Sequence, residues 1–259
     1  MSGLVIEEFW HLNNYFYPFY RFIIENYCKQ SIDQRPCLML DAGCGQNICS
    51  ISKVPEGMTV VALDASRKEV HFSYQKAKKK DYKNFFFVIG SITSLPIKDQ
   101  NFDICICVDV LEHLSNKNKA IAEISRICKP GAKFIGSTSN SLNPLLLFDC
   151  YMPKGVVRVL TEKFAPGHYE RHRRLNPKKL LQALQRADFH VKNMKLLGFP
   201  PFQPWLYQFS NRKIPWYAYI WILLNKITDK RPLNFLKEVM VFQAIKNGQH
   251  QLTTTVNLN

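Results

Sequence analysis

Acidic residues are scarce in this chain: 20 Asp and Glu stand against 35 Lys and Arg, a formal charge of +15 over 259 residues. The positive residues bunch at Lys76–Lys83, at Arg171–Lys179 and around Lys226, Lys230, Arg231 and Lys237. Such clusters serve either as solvated helix faces or as a face for an anionic partner, whether nucleic acid, acidic lipid headgroups or a phosphorylated substrate. No Cys-x-x-Cys pair occurs among the eight cysteines. Zinc and dithiol redox readings lose their usual signature, and the thiols read as small buried side chains of a reducing compartment. Long apolar runs are also missing. The apolar core of the most hydrophobic late stretch, Trp216 to Leu224, spans nine residues, far short of the roughly 20 that cross a bilayer. Glu7 and Glu8 precede any apolar run, and neither a basic leader nor a small-residue cleavage site follows. Cytoplasmic residence is the expectation.

What is present is alternation. Short apolar runs fall at Cys37–Asp41, Thr59–Asp64, Asn84–Ile89, Phe102–Asp109, Lys133–Thr138, Phe189–Leu197 and Val239–Ile245. Helical patterns separate several of them, at Ser66–Lys80, Asn116–Cys128 and Pro177–Ala187. Strand, helix, strand over most of a chain implies an α/β fold with a mostly parallel sheet covered on both faces. A single domain over 1–246 is expected. Within it, 1–36 is read as a helical cap rich in aromatics such as Phe9, Trp10 and Phe16, 37–140 as a ligand-binding half and 141–246 as the opposing half. The second half includes an apolar insertion at 198–237, and 247–259 reads as a disordered tail.

The first strand ends in Asp41 and runs into Ala42-Gly43-Cys44-Gly45. Glycines let backbone approach a ligand closely and adopt positive φ, and such a loop lies where open α/β sheets bind ligands. The pyrophosphate fingerprint Gly-x-Gly-x-x-Gly is broken by Ile48, and the acid at Asp41 suits a cationic ligand better than a dinucleotide. A second strand ends in Asp64, 23 residues further on. A carboxylate there can accept both hydroxyls of a ribose, while Ser66 supplies the cap of the following helix.

These segments resemble motif I and the acid that follows it in class I S-adenosylmethionine-dependent methyltransferases. Three more segments continue the likeness in order. Gly90-Ser91-Ile92 with Asn101-Phe102-Asp103 is similar to the family's passage between third and fourth strands, with Ser91 where the usual residue is Asp. Asp109-Val110-Leu111-Glu112-His113 resembles the fourth-strand end of the ubiquinone/menaquinone-type, or type 11, members, and Lys129-Pro130-Gly131-Ala132-Lys133 the tight turn before their fifth strand.

The resemblance implies a Rossmann-like seven-stranded sheet of order 3-2-1-4-5-7-6 and S-adenosyl-L-methionine as cofactor. It assigns Asp41, Gly43, Gly45, Asp64, Ala65, Ser91, Ile92 and Asp109 to cofactor binding. Methyl transfer from a sulfonium is a direct displacement, so alignment, exclusion of water and a prearranged field are the protein's main tasks. Where the acceptor needs a base, Glu112, His113 and His168 are the candidates. His168 falls in Pro166–Arg173, which is similar to a family segment ahead of a late helix. No compact metal-ligand set is seen in the spacing, and no metal is expected. The aromatic cap, the apolar insertion and the positive surface point to a small hydrophobic acceptor, lipid-like or quinone-like, met peripherally at an anionic membrane surface. Docking of protein or RNA through the basic clusters, or a cofactor-binding regulator without activity, are the competing readings. Oligomeric state has no signature in the sequence.

Overall fold

The computed structural model describes residues 37–45, 57–79, 81–143, 175–197 and 239–248, together with Ile227, Leu233 and Lys237. The expected cap at 1–36, nearly all of the insertion at 198–237 and the tail from residue 249 lie outside the described residues. Seven strands form one sheet: β1 (Cys37–Ala42), β2 (Met58–Asp64), β3 (Phe85–Ile89), β4 (Phe102–Val108), β5 (Cys128–Ser139), β6 (Phe189–Leu197) and β7 (Val239–Lys246). Their order is β3-β2-β1-β4-β5-β7-β6, as expected, with β1 to β5 parallel and β7 antiparallel to both β5 and β6. The chain reverses its direction of sheet growth between β1 and β4, which opens a crevice at the C-terminal ends of those two strands.

Three described helices match the expected positions: α1 (Arg67–Lys79), α2 (Lys117–Ile127) and α3 (Pro177–Arg186). Asn116 caps α2 by accepting from Lys119 N at 3.0 Å, and Asn176 caps α3 by accepting from Lys179 N at 2.8 Å. Pro177 then fills the first turn of α3, where its missing N–H costs no helix bond. Period-2 burial divides the strands. Leu40, Ala42, Leu63, Cys105 and Phe134 pack with Ile121 and Ile124 of α2 and Leu180 and Leu184 of α3, whereas Met39, Met58, Val60, Ile104 and Ile135 form a second cluster. Phe134 sits 5.2 Å from the Phe189 ring and 5.1 Å from the Phe242 ring, which joins β5 to β6 and β7. Each such fully buried ring contributes roughly 1.5–3 kcal/mol. Val70, Ser73 and Ala77 are the buried face of α1, which lies over β2 and β3.

One expectation is corrected. The turn expected at Lys129–Lys133 before the fifth strand lies inside it, because β5 begins at Cys128. Pairing passes from Phe102–Cys128 to Ile104–Lys133, so the intervening residues bulge out of the ladder. Pro130 has no N–H to donate and Gly131 sits at φ +79, and both suit a bulge as well as they suit a turn. Cys37, Cys44, Cys105, Cys107 and Cys128 are free and buried, in keeping with their reading as core thiols. Among the described residues no helix is long and apolar enough to cross a membrane.

Candidate active site

The loop leaving β1 is drawn across the end of β2. Gly43 N and Cys44 N both donate to Leu63 O, at 2.7 and 3.0 Å. Gly43 holds φ +82 and Gly45 φ +49. The first glycine answers to packing as well: a Cβ on Gly43 would fall 2.9 Å from Val110 Cγ1 and closer still to Cγ2, so the segment after β4 seals directly onto this loop. At Gly45 a Cβ would meet nothing within 4 Å among the described residues, as a loop that admits a ligand requires.

Asp64 ties this loop to β2. Its Oδ2 accepts from Gly45 N at 3.0 Å and its Oδ1 from Ser66 N at 2.8 Å. Each carboxylate oxygen has a second lone pair that could take a hydroxyl donor. Ser66, not Asp64, caps α1, its hydroxyl accepting from Glu69 N at 3.4 Å. Ser73, on the buried face of α1, donates to Gly45 O at 2.5 Å and fixes the other side of the same glycine. Ala65, next to Asp64, is exposed.

Carboxylates crowd the crevice. Asp41 is buried, and burial first, with the Asp64 charge second, pushes its pKa from 3.8 up to about 7. Asp109, at φ +53 just past β4, is likewise pushed up to about 7 by burial and by the charge of Glu112, against the opposing pull of Ser137 and His113. The Ser137 hydroxyl donates to Asp109 Oδ1 at 2.6 Å, and its oxygen accepts from Asp109 N at 3.1 Å. Asp tolerates the left-handed region better than most residues, and this pair of bonds holds it there. Such carboxylates favour a positively charged occupant, whose charge would relieve what burial costs them.

Glu112 and His113 share a short 3-10 turn, Leu111–His113. Glu112 points inward: Thr138 Oγ1 donates to its Oε2 at 2.9 Å, while Ser139 Oγ and Ser139 N reach its Oε1 at 3.0 and 3.3 Å. His113 is exposed and close enough to influence the Asp109 charge. His168 lies outside the described residues. Ser91 opens a tight turn, with its carbonyl accepting from Ser94 N at 3.0 Å and its hydroxyl 2.8 Å from Thr93 Oγ1. The Ile92 side chain is buried beneath that turn.

Of the expected cofactor residues, Gly45 and Asp64 are hydrogen-bonded, Gly43 is tied to Leu63 O beside Asp64, Asp41 feels the Asp64 charge, and Val110, next to Asp109, packs on Gly43. Sequence reasoning missed Ser137, Thr138 and Ser139, which organise the two acids after β4. Their signal was the hydroxyl run at the end of a strand that the expected order sets beside β4. The residues fit an adenosyl sulfonium amino acid: the acid at the end of β2 could accept hydroxyls, the glycine backbone could border the ligand, and the buried carboxylates would suit its cationic portion. Among the described residues no group of three metal-ligating side chains occurs.

Comparison with known proteins bears on this geometry. A family model described as a methyltransferase domain matches residues 34–188. The ubiquinone biosynthesis O-methyltransferase of Hahella chejuensis is 27% identical over 66% of this chain and 71% of that protein. Among solved structures, the YcgJ protein of Bacillus subtilis superposes with TM-score 0.59 at 18% identity, covering 88% of this chain and 99% of that one. A geranyl diphosphate methyltransferase in complex with SAM gives TM-score 0.60 at 13% identity, covering 89% and 85%. At these identities the solved structures speak for the fold alone.

Proposed function

The chain belongs to the methyltransferase-domain family, and from that premise we propose that it methylates a small hydrophobic acceptor, lipid-like or quinone-like, by direct in-line displacement. It is a class I methyltransferase with S-adenosyl-L-methionine as its cofactor. The bound cofactor supplies an electrophilic methyl group on a positively charged sulfur. Asp64 would accept the ribose hydroxyls, and Asp41 and Asp109 would face the cationic methionine portion. Ala65 and the turn at Ser91 and Ile92 would border the adenine. The observation that carries this assignment is the bond from Gly45 N to Asp64 Oδ2, which places open backbone and a hydroxyl acceptor side by side.

For the acceptor, support comes from the name of the Hahella chejuensis relative, whose acceptor pathway is that of ubiquinone, and from the aromatic and apolar residues of the N-terminal and late segments. His113, exposed beside the acid pair, is assigned as the base that takes an acceptor hydroxyl proton, with His168 the second candidate. Glu112 has both oxygens bonded to β5, and we assign it to holding the turn that carries His113. Tritiated-methyl transfer into fractionated cell extracts tests the reading. Label in an organic-soluble small molecule is expected; label confined to protein or RNA would overturn the acceptor class, and tight cofactor binding with no label anywhere would favour a regulator. His113→Ala should lower turnover about a hundredfold or more with cofactor affinity held within about twofold.

We further place the enzyme in the cytoplasm, peripherally attached to an anionic membrane surface through the late apolar stretch. Flotation of the protein with vesicles of anionic lipid, and its loss on replacing Trp216 and Trp221, is the expected outcome. A protein that stays at the bottom of the gradient contradicts it.

A further inference from the structure

The turn that begins at Ser91 continues through Leu95 to Gln100 before β4, and it carries no regular structure of its own. One side chain on α2 holds much of its length. Arg126 Nη2 donates to Leu95 O at 3.1 Å, and Arg126 Nη1 donates to Ile97 O at 2.8 Å and to Asp99 Oδ1 at 2.5 Å. The guanidinium is in turn locked to its own helix, Nε reaching Glu123 Oε1 at 2.9 Å and Nη2 reaching Glu123 Oε2 at 2.8 Å. Glu123 closes the ring by accepting from Leu95 N at 2.8 Å. Backbone completes the staple, with Gln100 N donating to Arg126 O at 3.0 Å and Asn101 N to Ile127 O at 2.7 Å.

This pattern exceeds what an ordinary surface ion pair does. A planar fork with five donors contacts three residues of one loop while a bidentate carboxylate presets its plane, so the loop has one seating on the helix. The guanidinium also holds the Glu123 carboxyl below its ordinary pKa. The side chains of Arg126 and Glu123 are about a third and a fifth exposed, at 31% and 22%, so the bonds are only partly screened by water. Immediately before the clamped segment, the Ile92 side chain is buried in the core that α2 helps to form.

We propose that Arg126, preset by Glu123, is a positioning residue for adenine recognition: by fixing Leu95, Ile97 and Asp99 to α2, it holds the Ser91–Ile92 turn where its backbone reads the base edge. The inference rests on the assignment of that turn to adenine made above. A clamped turn presents its polar groups at fixed places, and so it tells an amino group from a carbonyl on the ring. A loosened one still packs against the base but discriminates less.

The test measures binding of S-adenosylhomocysteine and of its inosine counterpart to the full chain by calorimetry, at a temperature well below the melting point of each variant. Arg126→Gln is expected to raise Kd for S-adenosylhomocysteine about tenfold and to shrink the preference for adenine over hypoxanthine by a similar factor. Arg126→Lys, which keeps the charge and loses the fork, should fall between. Asp99→Ala removes only the exposed contact and should change the preference about twofold. A purely structural arginine would lower the melting temperature of Arg126→Gln and leave both affinity and preference within twofold of the wild type, and that result overturns the proposal. Ile92→Pro, which removes the backbone N–H that the turn would offer the base, separates the two levels. If it leaves affinity and preference unchanged, the adenine assignment of the turn fails; if it weakens adenine binding while Arg126→Gln does not, the clamp alone fails.

Discussion

Asp41 and Asp109 set the pH response of the site. Both have ordinary carboxyl values near 3.8 when exposed and are pushed up to about 7 in the fold, mainly by burial. Between those values the folded chain holds more protons than the unfolded one, so stability without cofactor falls as pH rises from about 4 to about 7. Thermal melts across that window should show the decline, and Asp41→Asn should flatten part of it. A cationic ligand prefers the ionised form, so cofactor affinity should rise through the same window while binding releases protons. Calorimetry in buffers of different ionisation enthalpy reports that release; pH-independent affinity in the wild type would contradict it.

Gly43 offers a second test at the scale of one side chain. Alanine there adds a Cβ against Val110 at φ +82, and left-handed strain plus overpacking should cost about 2–4 kcal/mol. Val110→Ala in the same chain should restore the packing part. The strand-end acids and the glycines were legible in the sequence because parallel strands all deliver their C-terminal residues to one edge of the sheet. The partners that tune them were not. Nothing in the spacing of Ser137 or Arg126 says what each will touch 28 residues or 31 residues away.

At the scale of elements, the turn after β4 depends on β5. Glu112 bonds to Thr138 and Ser139 in a buried setting, and Glu112→Ala leaves those donors without an acceptor. A loss of about 1–3 kcal/mol is expected, read as a lowered denaturant midpoint, with Glu112→Gln recovering much of it. An unchanged midpoint for the alanine variant would show that the turn is held by something else. The strands and helices themselves were readable to within a residue or two, since period-2 burial and the Asn116 and Asn176 caps are local signals. β5 was the exception. Lys129-Pro130-Gly131 spells a turn, yet the sheet tolerates it as a bulge because the pairing resumes at Lys133. Tertiary pairing decided what local chemistry left open.

For the whole molecule, the sheet order sets the ends of β1 and β4 side by side at a switch point, and Asp41, Asp64 and Asp109 sit at or just past the C-terminal ends of their strands. That order was anticipated from the family resemblance and not from periodicity, which gives strands without their neighbours. The expected acceptor-side segments, such as Pro166–Arg173 and Trp216–Leu224, lie outside the described residues, and their composition fits several packings. The formal charge of +15 belongs to the chain as a whole, and the proposed attachment to an anionic surface would draw on it. Attachment to anionic vesicles should therefore weaken steeply as salt rises from about 0.05 to 0.5 M, where the Debye length contracts to a few ångströms.

The proposed cofactor site centres on Asp64 gripping a ribose beside the Gly43–Gly45 loop. Titration of S-adenosyl-L-methionine into the purified protein by calorimetry, repeated with Asp64→Ala, measures that grip. One site per chain is predicted, with affinity falling at least about a hundredfold in the variant, as loss of two charge-assisted hydrogen bonds requires. Absence of binding to the wild type, or an Asp64→Ala protein that binds as tightly, would contradict it.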